Sequence, residues 1–142
     1  MSENMILLVE DDPDHEALAI RALKKANVVN EIRVARDGEE ALAYMKGIVE
    51  GTERRPQLVL LDLKLPKVEG LDVLRAIRAS DKTALLPVVV LTSSDEERDI
   101  VASYRLGVNS YIRKPVNFAD FAEATKQLGV YWLLLNQCPP VQ

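Results

Sequence analysis

The 142-residue sequence predicts an α/β fold: a doubly wound parallel sheet with helices on both faces. Three observations carry that prediction. Short apolar runs alternate with stretches of helical periodicity, five of each. The central runs are apolar throughout, as strands buried on both faces are. Carboxylate, hydroxyl and amine side chains follow the runs at their C-terminal ends, where open α/β sheets place their ligands.

The first strand is expected near 5–9, Met5-Ile6-Leu7-Leu8-Val9, and ends in Glu10-Asp11. Asp12-Pro13-Asp14 then supplies a cap, a proline at the first helical position and an acidic first turn for a helix near 13–26. Leu18, Ala19, Ala22, Leu23 and Ala26 follow at helical spacing. A second strand is expected near 31–35, and Asp37-Gly38-Glu39-Glu40 opens a helix near 38–48 with Ala41, Leu42 and Met45 on one face. Gly47 to Pro56 reads as an exposed loop, longer than the usual helix-to-strand link. The third strand, near 58–62, is Leu58-Val59-Leu60-Leu61 ending in Asp62, bounded by Pro56 and Pro66. A helix near 69–79 follows, then a strand near 87–92 in which Val88-Val89-Val90-Leu91 ends in Thr92. Ser94-Asp95-Glu96-Glu97 is a capping-box pattern for a helix near 95–106. The fifth strand, near 109–113, is followed by Lys114-Pro115.

The last helix is expected near 117–135, with Phe118, Phe121, Thr125, Leu128, Trp132 and Leu135 as its core stripe. From Val130 to Leu135 it is apolar all round, which demands burial on more than one side. No repeat, low-complexity tract or linker interrupts the chain. Residues 1–142 read as one domain, with 129–142 an extension of the last helix plus a tail.

Composition narrows the function. The chain is 48% hydrophobic, enough for one core, and its net charge of -4 argues against nucleic acid as the main partner. Arg54, Arg55, Arg75 and Arg78 are scattered and read as solvated surface. The single cysteine, Cys138, allows no internal disulfide and fits a reducing cytosol. No apolar stretch reaches the roughly 18 residues that span a membrane. Met1-Ser2-Glu3-Asn4 lacks the basic start of a signal peptide. A cytoplasmic protein is expected.

The strand ends together offer the parts of a metal-dependent phosphoryl-transfer site. Mg2+ prefers oxygen ligands and is held by one or two carboxylates plus waters and phosphate oxygens. Asp11 and Asp62 can bind it directly, Glu10 through water, and the backbone carbonyl of Lys64 can complete the protein share. With donor charge neutralised, the Asp62 carboxylate can attack phosphorus. Lys114 adds positive charge where the transferring group gathers negative charge, and Thr92 can hydrogen-bond a phosphoryl oxygen. The product is an aspartyl phosphate, and its charge is expected to pull Thr92 toward Asp62. His15, the only histidine, reads as a packing or partly exposed residue rather than a phosphoryl carrier.

The ordered set of motifs resembles the response-regulator receiver family. The residues that carry the resemblance are Ile6 to Asp11, Leu60-Leu61-Asp62-Leu63-Lys64-Leu65-Pro66, Gly70, Val90-Leu91-Thr92-Ser93, and Gly107 with Tyr111-Ile112-Arg113-Lys114-Pro115. They lie within residues 5 to 128. The resemblance implies a flavodoxin-like (βα)5 sheet of order 2-1-3-4-5. It implies Asp62 as phosphoacceptor, Glu10 and Asp11 as metal acids, Thr92 and Lys114 as phosphate contacts, and Tyr111 as the switch aromatic. Phosphorylation would act on the face made by the fourth helix, fifth strand and fifth helix.

Within the family the sequence is most similar to the stand-alone regulators paired with phytochromes. Val9-Glu10-Asp11-Asp12-Pro13, the long loop before the third strand, Leu65-Pro66-Lys67, Ala102-Ser103-Tyr104, Asn109 and Trp132 carry that narrower likeness. It implies a sensor histidine kinase, of the phytochrome type, as partner. There are departures: Glu10 where many receivers carry Asp, Lys64 two residues after the phosphoacceptor, and Ser94 two residues after Thr92. Lys64 can pair with the phosphoryl group or screen it from water, and Ser94 offers no group to orient a hydrolytic water.

Other functions fit less well. An aspartate-nucleophile phosphatase or phosphotransferase commonly needs a second acid where Lys64 stands. A flavodoxin-type cofactor binder would want a glycine- and hydroxyl-rich loop where Glu10-Asp11-Asp12-Pro13 would repel phosphate. A degenerate scaffold receiver would not need Asp62, Thr92 and Lys114 together.

The tail leads to an expectation about assembly. Tyr131, Trp132 and Leu134 present more apolar surface than one core-facing stripe can hide, and contiguous apolar patches mark interfaces. A two-fold homodimer is the commonest solution. Analytical ultracentrifugation of the full chain should give a dimer at tens of micromolar, and Tyr131→Glu with Leu134→Glu should give a monomer.

Overall fold

The structure, a computed structural model, describes residues 5–25, 30–93 and 96–113. Ser94, Lys114, the predicted last helix, and Tyr131, Trp132 and Leu134 lie outside the described residues. In chain order the elements are β1 (Met5–Val9), α1 (Pro13–Lys25), β2 (Glu31–Ala35), α2 (Gly38–Glu50), β3 (Leu58–Leu61), α3 (Gly70–Ala79), β4 (Val88–Thr92), α4 (Glu97–Arg105) and β5 (Ser110–Arg113). All pairings are parallel, and the sheet order is β2-β1-β3-β4-β5, as expected.

The period-2 geometry of strands sorts the apolar runs onto two faces. Met5, Leu7, Val9, Val59, Leu61, Val88 and Val90 point to one side, where Ala41, Tyr44, Met45, Val73, Leu74 and Ile77 of α2 and α3 cover them. Ile6, Leu8, Leu58, Leu60, Val89 and Leu91 point to the other, against Ala19 and Leu23 of α1. Every residue of β1, β3 and β4 is buried. Each such aliphatic side chain contributes roughly 1.5–3 kcal/mol of burial. This double packing fixes the register, and the register positions the strand ends.

The helix starts follow their local chemistry. The Asp12 carboxylate accepts from the N–H groups of Asp14 and His15 at 2.8 and 3.3 Å, capping α1. Asp37 caps α2 by accepting from the Glu40 N–H at 2.8 Å. Ser94 and Asp95, which open the capping box expected for α4, lie outside the described residues. That helix begins at Glu97 with Glu96 at the cap position, and no side-chain cap bond is made there.

Two expectations are corrected. The segment from Gly47 is not an open loop: α2 continues to Glu50, and Thr52 and Glu53 fold back to donate to the Gly47 carbonyl at 2.8 and 3.1 Å. The following turn is pinned to β2 by an Arg33–Glu53 ion pair at 3.2 Å and by a close Arg54–Glu31 pair. Tyr44 donates its hydroxyl to the Arg54 carbonyl at 2.7 Å, and Arg33 lies 5.5 Å from the Tyr44 ring centre.

Arg78 is not solvated surface either. Its guanidinium donates to four backbone carbonyls: Leu106 at 2.7 Å, and Ala84, Leu86 and Gly107 at 2.8 Å each. The planar five-donor fork suits such a task. It ties the end of α3 to the turns before β4 and after α4. Burial holds its pKa below the usual arginine value. Arg78→Met keeps the stem but leaves these carbonyls without their donor. Urea denaturation should show a loss of about 2–4 kcal/mol, beyond any surface substitution.

Candidate functional site

The site sits at the C-terminal edge of the sheet. Val9 pairs with Leu61, so Glu10 and Asp62 emerge side by side; the Asp62 N–H still donates to the Val9 carbonyl at 3.1 Å. The carboxylates of Glu10, Asp11 and Asp62 all lie within 4.8 Å of one another. Glu10 and Asp62 are buried, at 3% and 5% exposure, while Asp11 faces solvent. Gathering like charges in a partly dry site is unfavourable unless a cation neutralises them. An all-oxygen donor set with carboxylates suits a hard divalent cation.

Local hydrogen bonds orient each acid. Glu10 Oε2 accepts from the Asp12 N–H at 3.2 Å. Asp62 Oδ1 accepts from the Lys64 N–H at 3.0 Å and from the fully buried Thr92 Oγ1 at 2.7 Å. The approach of Thr92 to Asp62 thus does not wait for a phosphoryl group; the hydroxyl is already bonded to the carboxylate. Tyr111 is half-buried and packs against the core cluster. His15 is partly exposed in the first turn of α1, with Nδ1 3.8 Å from Asp12 Oδ2.

The loop from Asp62 to Glu69 is clamped by close backbone approaches. A Cβ on Gly70 would stand 2.4 Å from the Asp62 carbonyl oxygen, and the Gly70 N–H donates to the Leu63 carbonyl at 3.0 Å. A Cβ on Gly38 would stand 2.1 Å from the Val68 carbonyl oxygen. Only glycine fits at either place. Two lysines strap the loop sideways. Lys67, at a left-handed φ of 70°, reaches Asp37 at 3.4 Å and Glu39 at 3.8 Å. Lys64 reaches Glu96 at 3.6 Å and Asp99 at 3.8 Å. In this unphosphorylated structure the Lys64 ammonium is directed to the acids at the start of α4.

The Glu40 backbone N–H, helped by Lys67, holds the Asp37 carboxyl below the usual carboxylate range, and Asp37 raises Lys67 in turn. A depressed carboxyl stabilises the folded state above its unfolded pKa. That contribution fades as pH falls through the lowered folded value.

Sequence reasoning missed Lys67, Arg78 and Asp99. The available signal for Asp99 was its i, i+4 partner Ser103, since both occupy the inward stripe of α4 and are buried. Val101 and Tyr104 of the same helix are exposed.

Residues 6–126 match the response regulator receiver domain family. The chain belongs to that family. Response regulator Rcp1 of Synechocystis is 40% identical over 131 residues, covering 91% of this chain and 88% of that protein. The probable methanogenesis regulatory protein FilR2 of Methanothrix harundinacea is 41% identical over 135 residues, covering 95% of this chain and 87% of that one. Among solved structures, the Mn2+-bound form of Rcp1 matches with a TM-score of 0.89 at 38% identity, over 96% of this chain and 99% of that chain. The phosphorylated cyanobacterial phytochrome response regulator RcpA matches with a TM-score of 0.88 at 38% identity, over 96% of this chain and 98% of that chain. The protein is therefore a two-component response-regulator receiver with the receiver fold. No helix among the described residues is long and apolar enough to cross a membrane.

The crowding of Glu10, Asp11 and Asp62 has a thermodynamic signature. Asp62→Asn removes one of three neighbouring charges while its amide oxygen still accepts from Thr92 and Lys64. Without metal the variant should be more stable than the parent by about 1 kcal/mol in thermal or urea unfolding. Added divalent cation should raise the parent's midpoint more than the variant's.

Proposed function

We propose that this receiver accepts a phosphoryl group on Asp62 from a sensor histidine kinase of the phytochrome type, in a Mg2+-dependent reaction. The observation that carries the reading is one juxtaposition: three carboxylates within 4.8 Å, with the buried Asp62 bonded by Thr92. Rcp1 was crystallised with Mn2+ and RcpA is a phytochrome regulator in phosphorylated form, which supports the cation and the kinase class. The high coverage of relatives of similar length supports residues 1–142 working as one receiver unit, with 129–142 as its extension.

Asp11, Asp62 and the Lys64 carbonyl would hold the cation, and Glu10 would hold one of its waters. A bound Mg2+ supplies charge neutralisation to the donor phosphoryl oxygens. An Asp62 carboxylate oxygen attacks phosphorus, the P–N bond of the kinase phosphohistidine breaks, and its electron pair stays on the imidazole nitrogen. Thr92 moves its hydroxyl from the carboxylate to a phosphoryl oxygen, and Lys114 adds its ammonium there. Tyr111 follows Thr92, which alters the surface of α4 and β5. The receiver thereby assists its own phosphorylation and dephosphorylation but turns over no external substrate. The proposal also includes a cytoplasmic homodimer joined through Tyr131, Trp132 and Leu134, supported by the apolar run from Val130 to Leu135, and no nucleic-acid partner, supported by the net charge of -4.

Acetyl phosphate with Mg2+ should add one phosphoryl group by intact mass. Asp62→Asn should abolish it, and Asp11→Ala should reduce the rate by at least about tenfold, since one lost charged ligand contact is worth more than about 1.4 kcal/mol. A panel of purified kinases compared at short times should favour a phytochrome kinase. Equal labelling of the Asp62→Asn variant, or full activity in excess chelator, contradicts the assignment.

A further inference from the structure

We propose that Asp99, with Glu96, is a positioning residue for phosphoryl turnover: the pair holds the Lys64 ammonium off the phosphoacceptor pocket. This rests on the reading of Asp62 as phosphoacceptor. Lys64 straddles two places. Its backbone N–H donates to Asp62 Oδ1 at 3.0 Å, so the residue begins at the rim of the pocket. Its side chain leaves the pocket and places Nζ 3.6 Å from Glu96 and 3.8 Å from Asp99 on α4.

Burial makes the two acids unequal. The Asp99 side chain is only 9% exposed, whereas Glu96 is 47% exposed and Lys64 is 50% exposed. The pair with Asp99 is screened less by water and salt than an ordinary surface pair. Lys64 and Asp99 line a groove between α3 and α4 of about 330 Å³, together with Leu63, Leu71, Arg75 and Arg98. The groove gives the flexible lysine stem room to repack, so the ammonium can change partners without disturbing the core.

Phosphorylation creates a competitor. It places roughly one and a half to two negative charges on Asp62. The ammonium must then divide itself between the phosphoryl oxygens and the acids of α4. Each contact with α4 therefore opposes the shielding of the aspartyl phosphate from water. Coupling of this kind is reciprocal. The acids that shorten the lifetime of the phosphoryl group are the ones that feel its arrival: when Lys64 departs, Asp99 loses that ion pair, while Glu96 keeps its 2.8 Å pair with Arg98.

The test is a double-mutant cycle on full-length protein, phosphorylated with acetyl phosphate and Mg2+ and then desalted. Glu96→Gln with Asp99→Asn should lengthen the aspartyl-phosphate lifetime about two- to fivefold, the range of a partly exposed ion pair. In the Lys64→Met background the same two substitutions should change the lifetime by less than about 1.3-fold, because the ammonium they release is gone. An unchanged lifetime in the first comparison, or an equal change in both backgrounds, overturns the proposal. A second readout needs no phosphoryl group. In unphosphorylated protein the Lys64 side-chain ammonium resonance should shift on Asp99→Asn alone, and an unmoved resonance also overturns it. If the parent takes up no label on Asp62, the phosphoacceptor reading fails, and the resonance still decides the tether.

Discussion

Three carboxylates that would repel one another are held within 4.8 Å because the strands beneath them have no freedom to slide. A one-residue slip of β1 against β3 would turn Ile6 and Leu8 to the face of Leu7 and Val9, exchanging both buried layers at once. The core thus enforces the crowding at the sheet edge. The crowding in turn explains why the site calls for a cation. A divalent ion offsets the repulsion that the packing imposes, so metal binding and sheet register are two sides of one constraint.

The loop that carries Asp62 is held with equal firmness. Glycines 38 and 70 permit backbone contacts that any side chain would block. Lys67 fastens the loop to α2 and Lys64 fastens it to α4. The two straps differ in what lies within their reach. Lys67 pairs with acids at a helix start, where its charge also offsets the acidic first turn. Lys64 begins at Asp62 itself, its N–H bonded to that carboxylate. A change of charge at Asp62 is therefore felt first through the α4 strap, and the Thr92 hydroxyl, already bonded to Asp62, is the second group that must respond. At the far end of the sheet, Arg78 fixes the turns that enter β4 and leave α4, so α4 is restrained at its C-terminal end and tethered by a salt bridge at its start.

Much of this was legible in the sequence, because the apolar runs and the acids that end them are local signals. Strand positions, the Asp12 and Asp37 caps, the sheet order and the Glu10–Asp11–Asp62 cluster all follow from runs, caps and the family likeness. The rest depended on partners distant in the chain. Arg78 looks like any surface arginine until carbonyls from residues 84 to 107 converge on it. Asp99 looks like a helix-surface acid until α4 is seen to turn Val101 and Tyr104 outward instead. Gly47 invited a loop because glycine is a poor helix former, but α2 runs through it to Glu50, and hydrogen bonds from Thr52 and Glu53 to the Gly47 carbonyl close the helix end around left-handed Gly51. The direction of the Lys64 side chain could not be read at all, since the pocket and α4 both offer it negative charge.

Whether the acidic cluster is a cation-dependent phosphoryl pocket built around Asp62 can be decided by a crystal structure grown with Mg2+ and beryllofluoride, a stable mimic of the phosphoryl group. The expected result is a beryllium–oxygen bond to the Asp62 carboxylate, a cation held by Asp11, Asp62 and the Lys64 carbonyl, and the Thr92 hydroxyl moved from the carboxylate to a fluorine. Beryllofluoride bound elsewhere, or bound at Asp62 with no cation among the three acids, would contradict it.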